Sequence, residues 1–235
     1  IYELNKKVLI NYKNYNFHNA LKDISNFCNQ DLSTIFFDIR KDYLYCESPN
    51  SILRRSVRTV LIDVFYSLVS WLSPLIPFTT EEAWQCWREE IVKEKDISCH
   101  LMSFDQPPSL WKNHELEKKW SMISEIRNTV SYLIEKMRDE KKIKSSLEAK
   151  VLICTNDKEI EFSLANINME EILITSSVQF TQKKDEKFSK LFIYKNVNIF
   201  IKVEKFHGEK CQRCWKFFEK SNLIGEICKR CYDAH

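Results

Sequence analysis

The sequence predicts a mainly α protein: a helical bundle, then a small α/β module, then a short tail built around four cysteines. Three observations carry this expectation. Apolar residues recur at three- and four-residue spacing over two long stretches, 52–72 and about 111–143. From Ala149 onward the apolar period shortens toward two, the strand signature. The tail, residues 206–235, holds Cys211-Gln-Arg-Cys214 and Cys228-Lys-Arg-Cys231, two Cys-x-x-Cys pairs separated by thirteen residues.

In chain order, Phe17, Ala20, Leu21, Ile24 and Phe27 mark a first helix after Tyr15-Asn16, expected to stop before Leu32-Ser-Thr-Ile-Phe-Phe. Glu47-Ser-Pro-Asn-Ser51 reads as a helix start with Asn50 and Ser51 as candidate caps. The helix after it presents Leu53, Val57, Val60, Leu61, Val64, Phe65, Leu68, Val69 and Leu72 as one wide apolar face, closed by Pro74 and Pro77. Thr79-Thr80-Glu-Glu opens a shorter helix carrying Trp84 and Trp87, with its acids in the favourable first turn. A connection over 91–109 leads into the second long helix, Trp111 to Ile143, lined by Leu116, Trp120, Ile123, Ile126, Val130, Leu133, Ile134 and Met137. Its basic last turns suit the negative end of the helix dipole and need no ligand. Strands are expected at 149–155, 171–175, 191–194 and 197–203, a short helix at 157–167, and a charged loop at 181–190. Domain boundaries follow at 1–109, 110–145 (a helix continuing the bundle), 146–205 and 206–235.

A Cys-x-x-Cys turn sets two thiolates on one side of a tight loop, and two such turns complete a tetrahedral shell of four sulfurs. That shell suits one structural Zn²⁺ and leaves no open position for catalysis, so Cys211, Cys214, Cys228 and Cys231 are the predicted ligands. Rubredoxin-type iron fits the same sulfurs. Too few large apolar residues occur here to bury a core, so the metal must supply much of the local folding free energy. The other five cysteines are scattered among apolar residues, as reduced thiols of a cytosolic protein are.

The composition excludes several classes. No apolar run approaches the roughly 20 residues that cross a bilayer, and no secretory leader is visible. Only two glycines occur, Gly208 and Gly225, both in the tail, so no glycine-rich phosphate loop exists upstream. Cys99-His100 are adjacent, but no base or acid in the sequence frames them as a nucleophile site, and no catalytic constellation stands out elsewhere. The net charge is +3, and residues 205–235 hold seven Lys/Arg against four Asp/Glu, a surplus equal to that of the whole chain. Arg54, Arg55 and Arg58 sit in the first turns of their helix, against its dipole. Either an anionic partner or a solvated charged face with Glu47 or Asp38 nearby accounts for them. The chain opens at Ile1 inside a helical pattern, as expected of the C-terminal piece of something longer.

Phe37-Asp-Ile-Arg-Lys-Asp-Tyr-Leu-Tyr-Cys46, Arg54-Arg-Ser-Val-Arg-Thr-Val60 and Leu72-Ser-Pro-Leu-Ile-Pro-Phe-Thr-Thr-Glu-Glu-Ala-Trp84 together resemble the helical anticodon-binding domain of class I aminoacyl-tRNA synthetases. Lys144-Ser-Ser-Leu-Glu-Ala-Lys150 and the Lys210-Cys-Gln-Arg-Cys-Trp215 knuckle narrow the resemblance to the bacterial-type isoleucyl enzymes. The resemblance implies a segment that reads the anticodon stem-loop of an isoleucine tRNA, in a cytoplasmic, monomeric ligase. ATP, isoleucine and editing sites would lie in a catalytic core absent from this chain, which the segment would touch. It also implies RNA contacts from Arg54, Arg55, Arg58, Arg213, Trp215 and Lys216. Unstacked anticodon bases take aromatic and guanidinium partners. Trp215 can instead plug the space between knuckle and sheet. A stand-alone zinc-containing RNA- or protein-binding module is the alternative for the whole chain.

Overall fold

The structure, a computed structural model, describes residues 1–92, 97–104, 106–181, 190–194 and 197–234. The charged stretch expected as a loop lies largely outside the described residues. The described chain is mainly helical with a small mixed sheet, and it divides into two compact units: Ile1–Asp38 with Ile52–Asn113, and Ile39–Ser51 with His114–His235. No described helix is long and apolar enough to cross a membrane.

The first unit contains helices α1 (Tyr2–Lys13), α2 (Phe17–Asn26), α4 (Ile52–Leu72) and α5 (Pro77–Trp87). The expected stop before Leu32 does not occur. Residues 17–46 hold no proline or glycine, so nothing forces the winding to end. It widens instead into a π-helical stretch, Phe27–Phe37, and tightens again into α3 (Asp38–Cys46). Ser51 precedes α4 as expected, but the apolar face of α4 is narrower than its sequence suggests. Leu53 and Val60 are 46% and 41% exposed, while Val57, Val64, Val69 and Trp71 are buried. The core partners gather on the half from Phe65 to Leu72, where Val8 of α1 and Ile24 of α2 close around Trp71. The Trp71 indole N–H donates to Asn5 Oδ1 at 2.7 Å, and the Tyr12 hydroxyl donates to the Trp71 carbonyl. Pro77 does more than end α4: it occupies the first turn of α5, where its missing N–H costs nothing. Trp84 of α5 stacks on Phe65 with the ring planes 8° apart.

In the second unit, α6 runs His114–Asp139, shorter at both ends than its periodicity suggests. Its end is set by backbone geometry. Lys141 takes a left-handed conformation (φ 57°), its N–H bonds the Arg138 carbonyl, and the Lys142 N–H bonds the Met137 carbonyl. The buried side of α6 is Met122, Ile123, Ile126, Val130, Leu133 and Ile134, and the helix packs on β4. The sheet order is β2-β1-β4-β3, with β1 (Ala149–Thr155) parallel to β2 (Ser177–Thr181) and antiparallel to β4 (Val197–Lys205), which pairs β3 (Lys190–Tyr194). The β1–β4 register sets Val151 opposite Val203 and Ile153 opposite Ile201. The short helix expected after β1 is α7 (Lys158–Ala165), capped by Asp157.

One expected strand is absent. Glu171 to Thr175 forms the end of helix α8 (Met169–Ile172) and a left-handed turn at Ile174. Its β-branched residues suggest a strand, but Asn168 Oδ1 accepts the Glu171 N–H and two acids occupy the first turn, so capping wins. The strand comes later, at Ser177.

Trp71 is 1% exposed and joins α1, α2 and α4. Trp71→Ala should therefore cost about 3–5 kcal/mol of stability in urea denaturation followed by helical circular dichroism.

Candidate metal centre and nucleic-acid interface

The tail is two small hairpins and one helical turn. Strands β5 (Glu209–Lys210) and β6 (Phe217–Phe218) flank the first knuckle, and β7 (Leu223–Ile224) and β8 (Ile227–Cys228) lead into α9 (Lys229–Asp233). Both glycines have a reason here. Gly225 turns between β7 and β8 at φ 65°, and a Cβ at Gly208 would stand 2.4 Å from the Phe218 carbonyl oxygen.

The four predicted ligands converge. Cys211, Cys214, Cys228 and Cys231 are all buried, and their sulfurs all lie within 4.8 Å of one another. The Cys214–Cys228 separation is 3.9 Å. Metal–sulfur bonds of 2.3 Å in a tetrahedron demand about 3.8 Å, so the cluster can hold one metal ion of this kind. The Cys228 N–H donates to the Cys211 sulfur at 3.3 Å. Burial pushes the Cys211 thiol up, but the backbone N–H groups of Cys214, Cys228 and Arg213 outweigh it and leave it at about 6. Burial raises Cys214 and Cys231. Without a cation, then, Cys211 ionises easily while Cys214 and Cys231 do not.

The knuckles are anchored to α3 by the arginine that precedes the second cysteine of each. Arg230 grips Asp42 with two nitrogens, at 2.5 and 2.9 Å, and reaches Glu47 at 3.4 Å. Arg213 donates to the carbonyls of Cys46 and Cys231, each at 3.1 Å, and to that of Tyr45 at 3.5 Å. A guanidinium on the last carbonyls of α3 also meets the negative end of its dipole. Lys216 adds a 3.9 Å pair with Asp42. Further along α3, Arg40 pairs with the buried Glu171 of α8 at 2.5 Å. Cys46 itself packs against the four sulfurs, and burial pushes its thiol up to about 11. Burial would raise Asp42, yet Arg230 and Lys216 hold its carboxyl below the ordinary 3.8.

These facts redistribute the predicted RNA-facing residues. Arg213 and Lys216 spend their charges on α3. Trp215 faces solvent at 59% exposure and so is no hydrophobic plug. The Lys210 ammonium stands 4.8 Å from the centre of its ring. The backbone at Trp215 is left-handed (φ 65°), because its N–H bonds the Cys211 carbonyl while the Cys211 N–H bonds the Lys216 carbonyl, each at 2.9 Å. A bulky residue there costs about 1–2 kcal/mol relative to its ordinary conformation. In the first unit, Arg55 and Arg58 are exposed on α4 with no ion pair among the described residues, and Arg54 is half-buried. Sequence reasoning missed Asp42, Glu171 and Arg230. The repeat of Arg at the same place in both knuckles is a visible signal, but its partners 167 and 188 residues away are not.

The anticodon-binding domain of tRNA ligases matches residues 1–153, from α1 into β1. The chain belongs to this family. Over 91–97% of its length the chain is also homologous to isoleucine–tRNA ligases. It is 40% identical over 216 residues to that of Pelagibacter ubique, 38% to that of Agrobacterium fabrum, and 35% over 234 residues to that of Methylacidiphilum infernorum. The chain spans only 22–23% of the length of these relatives.

Asp42→Asn should loosen the tail at neutral pH by about 1.5–3 kcal/mol, the worth of hydrogen bonds to a charged group. Transfer of the bound metal to a chromophoric chelator should speed up about tenfold or more. The folded carboxyl titrates below its unfolded value, so its stabilisation is present above 3.8 and is lost as pH falls through the depressed value. Wild type should therefore approach the variant's lability in acid, and the two rates should converge there.

Proposed function

We propose that this chain is the tRNA-reading part of an isoleucine–tRNA ligase, whose ATP-dependent attachment of isoleucine to tRNA takes place in domains outside it. The observation that carries this reading is the continuity of the homology. The 35% match to the isoleucine–tRNA ligase of Methylacidiphilum infernorum covers 97% of the chain, running past the anticodon-binding match and into the four-cysteine tail. The ion is Zn²⁺, held by Cys211, Cys214, Cys228 and Cys231 in a closed shell, and its contribution is structural. The parent enzyme works in the cytoplasm as a monomer, and this region docks on its catalytic core.

Trp215 is the platform on which an anticodon base stacks, a contact worth about 1–3 kcal/mol. Its exposure, the strained backbone that holds it and the ammonium of Lys210 over its ring all support that role. A left-handed position on a knuckle suits glycine better, so a tryptophan kept there against its backbone preference points to function. Arg55 and Arg58 take phosphates of the anticodon stem, and Arg54 lines the same helix turn. Arg213 and Lys216 serve the RNA indirectly, by fixing the knuckle that aims Trp215.

Titration of this chain with an isoleucine tRNA, and with the same tRNA carrying a different anticodon, tests the reading. Tighter binding to the native anticodon supports it, and equal binding to both removes the anticodon-reading role. Trp215→Ala should lower tRNA affinity about 5- to 100-fold with metal content unchanged. Arg55→Ala should reduce the slope of log affinity against log salt by about 0.7–0.9. Cys214→Ser should lose the zinc held by the four cysteines and unravel the tail, leaving the helical circular dichroism of α4 and α6 in place.

A further inference from the structure

We infer a second metal site in the first unit, formed by Glu81 of α5, Cys99 and His100, that takes a divalent ion of the zinc type. One carboxylate oxygen, the Cys99 sulfur and a ring nitrogen of His100 lie within 4.8 Å of one another. A mixed oxygen, sulfur and nitrogen set of three suits a borderline cation such as Zn²⁺, with a fourth position left to water.

The carboxylate is already aimed. Gln85 donates to Glu81 Oε1 at 2.6 Å, while the Ser98 hydroxyl and the Cys99 N–H donate to Oε2 at 2.8 and 3.0 Å. An ionised carboxylate offers about four acceptor positions; three take these bonds, and the fourth faces the Cys99 thiol, whose proton a cation would replace. Orienting hydrogen bonds of this kind are what support a metal-ligating carboxylate.

The turn that carries the other two donors is equally preset. Ser98 Oγ accepts the His100 N–H at 3.2 Å, and the Leu101 N–H bonds the Ser98 carbonyl at 3.1 Å. The Trp84 indole ties the start of the segment to α5 by donating to the Ile97 carbonyl at 2.8 Å. Cys99 is buried, whereas His100 is exposed and its ring makes no hydrogen bond among the described residues. The sulfur is thus shielded while an entry path for the ion remains through the imidazole side. Binding exchanges the thiol proton for the metal: the S–H bond breaks, the sulfur keeps its electron pair as the metal–sulfur bond forms, and the proton leaves to solvent. The ion pins the turn to α5 and remains exchangeable, unlike one in the closed four-sulfur shell.

Zinc counting on the whole chain tests the inference. After equilibration with micromolar free zinc and desalting, wild type should carry two ions per chain. His100→Ala, which alters only an exposed ring, should carry one with an unchanged circular dichroism spectrum. Glu81→Gln should likewise carry one, and Cys214→Ser should keep the second ion. With Co²⁺ as the probe, His100→Ala should remove one set of visible d–d bands and leave the four-thiolate set. A single zinc in wild type, or two in His100→Ala, overturns the site.

Discussion

Four sulfurs within 4.8 Å of one another constrain everything in the tail. Residues 206–234 have almost nothing else to fold around: three half-buried apolar side chains, Phe218, Leu223 and Ile227, rest on the cysteines. Two hairpins of two-residue strands cannot hold themselves together in water. The cluster converts them into one rigid piece, and the arginine next to each second cysteine fastens that piece to α3. Helix α3 is therefore the strut of its unit. Asp42 and its last carbonyls receive the tail, and Arg40 reaches back to α8.

This anchoring explains how a small four-cysteine knuckle can hold an aromatic ring out in solvent. The hydrogen bonds of the first knuckle also shape the backbone at Trp215, which is driven into a left-handed conformation and stands exposed. Cations whose charge would otherwise surround that ring are divided between two jobs. Lys210 lies over it, and Arg213 and Lys216 point the other way, onto α3. Charge near a candidate interface is not the same as charge available to it, and the division follows from geometry alone.

A comparable economy operates in the first unit. Glu81 gathers Gln85, Ser98 and the Cys99 backbone around one carboxylate, which closes the segment after α5 onto that helix. The same arrangement brings Cys99 and His100 to a third donor that lies 18 residues earlier in the chain. Adjacent in sequence, those two residues have no evident chemistry; beside Glu81 they have three donor atoms in common.

Much of the architecture was legible from local pattern. Strand β1, the helix after it, strands β3 and β4, the two long helices and the metal ligands all declare themselves by period or spacing, because each depends on neighbours within one turn or one pleat. The misjudged parts are those where a competing local signal or a distant partner decides. At Glu171–Thr175 a cap at Asn168 overrides β-branched residues. Between Asn26 and Asp38 the helix neither stops nor stays regular, since no breaker is present. Leu53 and Val60 look like core and are not, because burial on α4 depends on where α1 and α2 meet it. The sequence by itself determined that four cysteines gather where they can hold one metal ion, for the chelate turn is local chemistry. Only the tertiary structure decided which charges serve that cluster and which remain outside, because Arg213 and Arg230 find their partners 167 and 188 residues away, and no spacing rule reaches so far.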